Sequence, residues 1–162
     1  TVYQQPRDLG AAHEKMGMES SKKEADKRLN EVKERYPVIR KQYRKLRNRY
    51  FWEDENLLIR PARSAEEIVT EGRILHHCVG GDNYLGKHNR GETYILMIRQ
   101  QSNPEIPYIT VEMDGKRDRI IQWYGANDKK PDEKNIQKWL DKYVARLKCE
   151  KEQEEIRLQI AI

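Results

Sequence analysis

The chain has 162 residues, 36% of them hydrophobic and 36% charged, which bounds it to one modest domain with an appended helical arm. Lys and Arg number 32 against 27 Asp and Glu, a net +5 that permits nucleic acid or other anionic partners without demanding them. The absence of any apolar run of about 18 residues excludes a spanning helix. Two cysteines, Cys78 and Cys149, exclude a disulfide scaffold and point to reduced thiols in a cytoplasmic protein.

Residues 1–19 show no periodicity and are expected to be irregular. The chain opens at Thr1 rather than Met, as a fragment of something longer would. Ser20 and Ser21 then cap a helical pattern with apolar positions at Ala25, Leu29, Val32, Tyr36, Ile39, Tyr43, Leu46 and Tyr50. Their alternating spacing of four and three is a heptad seam, suited to a partner protein or a second copy. It predicts a helical arm over 20–55, bent or split at Pro37. The stretch "RKQYRKLRNR" within it carries Arg40, Lys41, Arg44, Lys45, Arg47 and Arg49 with no acidic residue, and Tyr50, Phe51 and Trp52 follow. A basic stripe ending in aromatics can hold a phosphate backbone and stack a base, although a charge run can equally be a solvated helix face.

A domain over 56–162 follows. Leu57–Arg60 is a candidate short strand, and Ser64 with Glu67 forms a capping box before the apolar face of Ile68, Val69, Gly72 and Leu75. This helix is expected to run through His77 and to end at Gly80 and Gly81. Asp82 opens a short helix with Tyr84, Leu85 and His88, closed at Gly91. From Thr93 the period becomes strand-like: "TYILMIR" is a continuous apolar run, and "YITVEM" alternates. Its alternation puts Ile109, Val111 and Met113 on one face and Thr110 and Glu112 on the solvent-facing other. Asp114-Gly115 predicts a hairpin turn into "RIIQWYG". A last helix from Asp132 and Glu133 carries Ile136, Leu140, Tyr143 and Leu147, and the tail "IRLQIAI" reads as a strand or a frayed helix. Trp123 and Trp139 read as core. The expected class is α+β, with helices packed on a three-stranded antiparallel sheet.

The stretch "ILHHCVGGDNYLGKHNRG" gathers the reactive side chains. In a helix reaching His77, both His76 and His77 lie in the last turn, where the dipole suits a general acid but disfavours a thiolate at Cys78. Neighbouring residues diverge in direction, so His88, across the loop, is better placed than His77 to activate Cys78. His76, His77, Cys78 and His88 could be counted as zinc ligands, but three consecutive residues rarely converge on one ion, and neither a metal nor a cofactor is expected. Cleavage of a nucleic acid needs an acid, a base and a cation for the phosphate, and His77, His88, Lys87 and Arg90 supply those types. No metal is required where a ribose 2′-hydroxyl attacks. The plainer alternative has Cys78 buried and His77 bonded to a backbone carbonyl.

"EGRILHHCVGGDNYLGKHNRGETYILMIR", "PYITVEM" and "IIQWYGANDKKP", with "PRDLGAAHEKM" upstream, resemble the PcfJ-like domain family of conjugative plasmids, phages and other mobile elements. The pattern falls on Glu71, Gly72, Leu75, His77, Cys78, Val79 and Gly80, then on Tyr84, Gly91, Arg99, Pro107, Thr110 and Glu112, and beyond them on Gln122, Gly125, Asn127 and Trp139. His76 is a less regular part of it than His77. The spacer "GGDN" before Tyr84 is longer than in members with the shorter His-Cys-Val-Gly-x-Tyr form. The resemblance implies that a helix end and two strands bring His77, Thr110, Glu112 and Gln122 into one site. The expectation built on it is a nucleic-acid-acting domain of a mobile-element protein, a metal-independent nuclease or related phosphoryl-transfer enzyme. His77 would be acid or base, Glu112 its partner or orienting group, and Gln122 and Asn127 hydrogen-bond donors to substrate. Cys78 is expected to pack rather than react. The alternatives are a non-catalytic binding module of a conjugation or defence complex, and a thiol enzyme using Cys78.

Overall fold

A computed structural model describes residues 4–161, with side chains described over 20–161. Helix α1, Gln4–Arg35, runs through the segment expected to be irregular, apart from residues 1–3, which lie outside the described residues. Ser20 and Ser21 therefore sit inside a helix rather than at its start. Helix α2, Pro37–Tyr50, begins with its proline in the first turn, where no intrahelical N–H is lost, so the chain splits at Pro37 as its chemistry predicts.

The sheet has five strands, not three: β1 Trp52–Glu53, β2 Leu57–Pro61, β3 Thr93–Gln100, β4 Ile109–Asp114 and β5 Arg119–Tyr124, in that spatial order and antiparallel throughout. Helices α3, Ala65–Leu75, and α4, Asp82–Arg90, are inserted between β2 and β3, and α5, Glu133–Ala161, follows β5. The tail is thus helical to Ala161. The β4–β5 connection is a four-residue loop rather than a two-residue turn, and Asp114 caps it by accepting from the N–H groups of Lys116 and Arg117.

The two sheet faces differ. On one, Ile59, Leu96, Ile98, Ile109, Val111, Met113 and Trp123 pack against Leu46 and Tyr50 of α2 and Ile136, Trp139, Leu140, Tyr143 and Leu147 of α5. Two directed bonds fix that packing: Trp139 Nε1–H to Asp54 at 2.8 Å and Tyr143 O–H to the Tyr50 carbonyl at 2.6 Å. The other face is covered by α3 and α4, with Val32 and Ile39 beside them. Half of the heptad seam is buried within the chain, at Val32, Ile39, Leu46 and Tyr50, while Ala25, Leu29, Tyr36 and Tyr43 are half-buried.

Among the described residues, no helix is long and apolar enough to cross a membrane.

Candidate active site

The covered face carries a layer of buried polar groups. Period-two alternation points Arg60 of β2, Thr93 and Arg99 of β3, and Thr110 and Glu112 of β4 toward α3, and all five are buried. Glu71 of α3 meets Arg99 in a two-pronged ion pair at 2.8 and 3.1 Å, both side chains at most 3% exposed. Arg60 meets Glu67 in the same way at 2.7 and 3.0 Å. Burial alone would raise the Glu67 carboxyl, but its bonds to Arg60, that cation's charge and the Arg63 N–H hold it below the usual carboxylate range.

This layer reaches His77 through one hydroxyl. Thr110 Oγ1 donates to Glu71 at 3.1 Å, and His77 Nε2 lies 2.9 Å from the same oxygen. A hydroxyl has one proton, and Glu71 takes it, so His77 Nε2–H must be the donor in the second bond. The imidazole is then the Nε2–H tautomer. Its Nδ1 accepts only a long 3.5 Å contact from the Val79 N–H, and is the ring nitrogen left to accept a proton.

The backbone supplies the rest of the positioning. Helix α3 ends at Leu75, earlier than its pattern suggests, because His76 adopts a left-handed conformation (φ 52) and the N–H groups of His76 and His77 both return to the Gly72 carbonyl. His77 therefore lies outside the helix, at the head of a 3-10 turn over Cys78–Gly80. The turn folds back tightly: a Cβ on Gly72 would come within 2.9 Å of the Gly80 nitrogen, and one on Gly80 within 3.0 Å of the Val69 Cα. Side chains at either position would push His77 off the sheet. Arg28 of α1 holds the turn from outside, donating to the Gly80 carbonyl at 3.3 Å and to Asp82 at 3.2 Å, and the Tyr36 O–H donates to Asp82 at 2.7 Å.

Beside this turn lies a cavity of about 430 Å³, lined by His77, Cys78, Val79, Tyr84, Ile95, Thr110, Glu112, Gln122, Tyr124 and Asp128. Its volume is in the range of roughly 300–1,000 Å³ usual for small-molecule sites. Five of the predicted residues, His77, Cys78, Thr110, Glu112 and Gln122, converge there. Their detailed roles differ from expectation. Glu112 does not orient His77; Glu71 does, through Thr110, while Glu112 accepts from the Thr93 hydroxyl at 3.1 Å and the Gln122 amide at 3.0 Å. The Gln122 amide nitrogen also reaches the Tyr84 hydroxyl at 3.2 Å, so both its protons are used and it is not a free donor. Cys78 is exposed, not packed.

His88 does not enter this site. It is fully buried, and its Nδ1 accepts from the Ile95 N–H at 2.9 Å. Strand β2 ends at Pro61 opposite Leu96, and the next backbone N–H, from Ala62, bonds the Ile95 carbonyl. His88 thus supplies the acceptor that a longer strand would have given Ile95. Burial lowers its pKa from 6.5 to about 4, so it stays neutral and is neither base nor phosphate ligand. Its place three residues after Leu85, on the apolar stripe of α4, is the sequence signal for a core histidine. His76 is exposed on the far side of the turn, and Asn127, also left-handed and exposed, lies outside the cavity lining, which Asp128 joins instead.

The predicted basic surface is only partly free. Arg40 is paired with Glu66 at 2.8 Å, Arg49 with Asp118, and Arg90 with Glu92 at 2.9 Å. Arg47 lies over the Phe51 ring, 4.4 Å from its centroid. Trp52 packs on Trp139 and Tyr143 and Tyr50 is buried, so these rings are not a stacking platform. Lys41, Arg44 and Lys45 are exposed, and Lys87 half-buried, with no ion pair among the described residues.

A family model described as PcfJ-like protein matches residues 1–140. An uncharacterized protein of Listeria innocua serovar 6a is 36% identical over 69 residues, a stretch that is 43% of this chain and 15% of that protein. This chain therefore matches only a small part of that relative's length. No solved structure matches.

Proposed function

The chain belongs to the PcfJ-like family, and we propose that it acts on nucleic acid inside the cell, as part of a mobile-element protein, through acid–base chemistry at His77. The observation that carries this reading is the chain of bonds Arg99–Glu71–Thr110–His77. It holds one imidazole by Nε2–H at the wall of a cavity and leaves Nδ1 as the proton acceptor. A histidine aimed through a buried ion pair, with one ring nitrogen held as a donor, is suited to acid–base work.

On RNA the step needs no metal. His77 Nδ1 takes the proton of a ribose 2′-hydroxyl, the 2′-oxygen bonds to the adjacent phosphorus, and the bond from phosphorus to the 5′-oxygen breaks, that oxygen taking its proton from solvent. The products are a 2′,3′-cyclic phosphate and a 5′-hydroxyl. The cavity lining holds no Lys or Arg, so grip on the backbone falls to exposed cations such as Lys41, Arg44 and Lys45.

The test is incubation of the chain and of His77→Ala with labelled single- and double-stranded RNA and DNA in EDTA. Cleavage that persists in EDTA and is lost in the variant is the expected result. Salt-sensitive binding without cleavage, equal in both proteins, would leave a non-catalytic binding module. A second reading, thiol chemistry, is favoured by the exposure of Cys78 in the same cavity, with His77 rather than buried His88 beside it. Fast alkylation by iodoacetamide at neutral pH would mark an activated thiolate there.

A further inference from the structure

The cavity's hydrogen-bonding groups have a consistent bias. Among the described residues three carboxylates are buried: Glu71 at 1%, Asp118 at 3% and Glu112 at 5% exposure. Glu71 is neutralised by Arg99 and Asp118 by Arg49, whereas Glu112 has only the neutral donors Thr93 and Gln122. A buried carboxylate without a cation is costly unless further donors reach it. Each of its oxygens accepts one bond and retains a second acceptor position.

The neighbouring groups add acceptors. Both protons of the Gln122 amide are used, so its carbonyl oxygen is what remains to a ligand. Asp128 adds a second carboxylate to the lining, and no Lys or Arg balances it. The Tyr84 hydroxyl accepts from Gln122 and keeps its own proton to donate. The walls are aromatic and aliphatic, from Tyr84, Tyr124, Val79 and Ile95. The lining offers a phosphate no Lys or Arg to hold it inside the pocket. A flat, uncharged group with adjacent N–H donors is matched.

Resting on the proposed action at nucleic acid, we infer that the cavity takes one unstacked guanine base, its N1–H and exocyclic amino group directed at Glu112. Guanine is the common base whose pairing edge carries two adjacent donors, the set a carboxylate can accept together. Its O6 acceptor sits beside them for a tyrosine hydroxyl. Bases splayed from a single strand are commonly read in this way, by their pairing edge and by aromatic side walls. The substrate class is accordingly single-stranded RNA with guanine next to the scissile bond.

The experiment titrates the intact chain with guanosine, inosine, adenosine and uridine by calorimetry. Saturable guanosine binding is expected, with inosine, which lacks only the exocyclic amino group, weaker by roughly tenfold or more. This comparison changes the ligand and not the protein, so it does not depend on any variant folding. Glu112→Gln should abolish the preference for guanosine over inosine, and His77→Ala should retain it. No guanosine binding at millimolar concentration, equal binding of all four nucleosides, or binding of spermidine in their place overturns the inference. If His77-dependent cleavage then persists, the proposed function stands without this pocket assignment. If guanosine is selected and no strand is cut, the base pocket stands and the nuclease reading falls.

Discussion

The two faces of the sheet are made from alternate residues of the same strands, yet they are held by different forces. Toward α5, Leu96, Ile98, Val111 and Met113 are satisfied by contact alone, which is undirected and tolerant of small displacements. Toward α3, Arg60, Thr93, Arg99, Thr110 and Glu112 are equally buried but must each find partners at hydrogen-bond distance. Replacing a buried ion pair by apolar groups is often neutral or stabilising, so such a layer is a poor device for folding. It is a good device for fixing atoms. One face supplies stability, and the other supplies the aim of His77.

Removing one partner from the polar layer tests that division most severely. Arg99→Ala leaves Glu71 charged and buried, and should cost about 3–5 kcal/mol of unfolding free energy in denaturant titration. Replacing both, as Arg99→Met with Glu71→Met, should recover most of that stability while His77-dependent activity stays lost. Recovery of activity in the double variant would make the layer scaffold only, and the contrast between the faces would collapse.

On the other face Leu140→Ala opens a hole in a fully buried cluster and should cost roughly 2–5 kcal/mol. Here the activity of the remaining folded protein should be unchanged. A drop in kcat measured well below the midpoint of unfolding would show that the apolar face also aims the site.

The division was partly legible in the sequence. The alternation in "YITVEM" separates Ile109, Val111 and Met113 from Thr110 and Glu112, and the structure keeps that separation, although the polar side is covered rather than solvent-facing. The convergence of His77, Cys78, Glu112 and Gln122 came from the family pattern, not from periodicity. Two local signals for the ion pair were present: Glu71 lies on the apolar stripe between Ile68 and Leu75, and Arg99 ends the apolar run of β3. Each charge on a buried face implies a buried partner, but which partner depends on helix and strand meeting across 28 residues. Strand β1, two residues long, is too short to carry a period, and β2, although strand-like, pairs with β3 only across the inserted α3 and α4, which is why the sheet read as smaller than it is. The early stop of α3 was hidden because His76, rather than a glycine, takes the left-handed position.

The covered face should also be the acid-sensitive one. His88 is neutral when folded, with its pKa lowered to about 4, while in the unfolded chain it titrates near its ordinary 6.5. As pH falls from 6.5 the unfolded state gains a proton that the folded state refuses, so stability declines progressively down to pH 4 and no further below it. The full difference corresponds to about 3 kcal/mol. Glu67, whose pKa is lowered, also loses its contribution on acidification, but below the ordinary carboxylate value of 4.5. The interval from 6.5 to 4.5 therefore reports chiefly on His88. In His88→Gln, which keeps an acceptor for the Ile95 N–H, that part of the slope should vanish in urea titrations at each pH. An unchanged slope would place the titrating group elsewhere.

The smallest change in stability should carry the most information about the site. Thr110→Val nearly conserves shape and removes one hydroxyl, at a cost of about 1–2 kcal/mol because Glu71 keeps Arg99 as its partner. His77 loses more. Without an oxygen 2.9 Å away, its Nε2–H has no acceptor, and neither tautomer nor ring angle is fixed. Misplacement of a reacting group on the ångström scale lowers rates on the order of 100-fold, so activity should fall far more than stability. Thr110→Ser restores the hydroxyl and should restore both the rate and the pH profile. Equal activity in the valine and serine variants would mean that His77 is held by its backbone turn alone, and the bond chain from Arg99 would then end at Thr110.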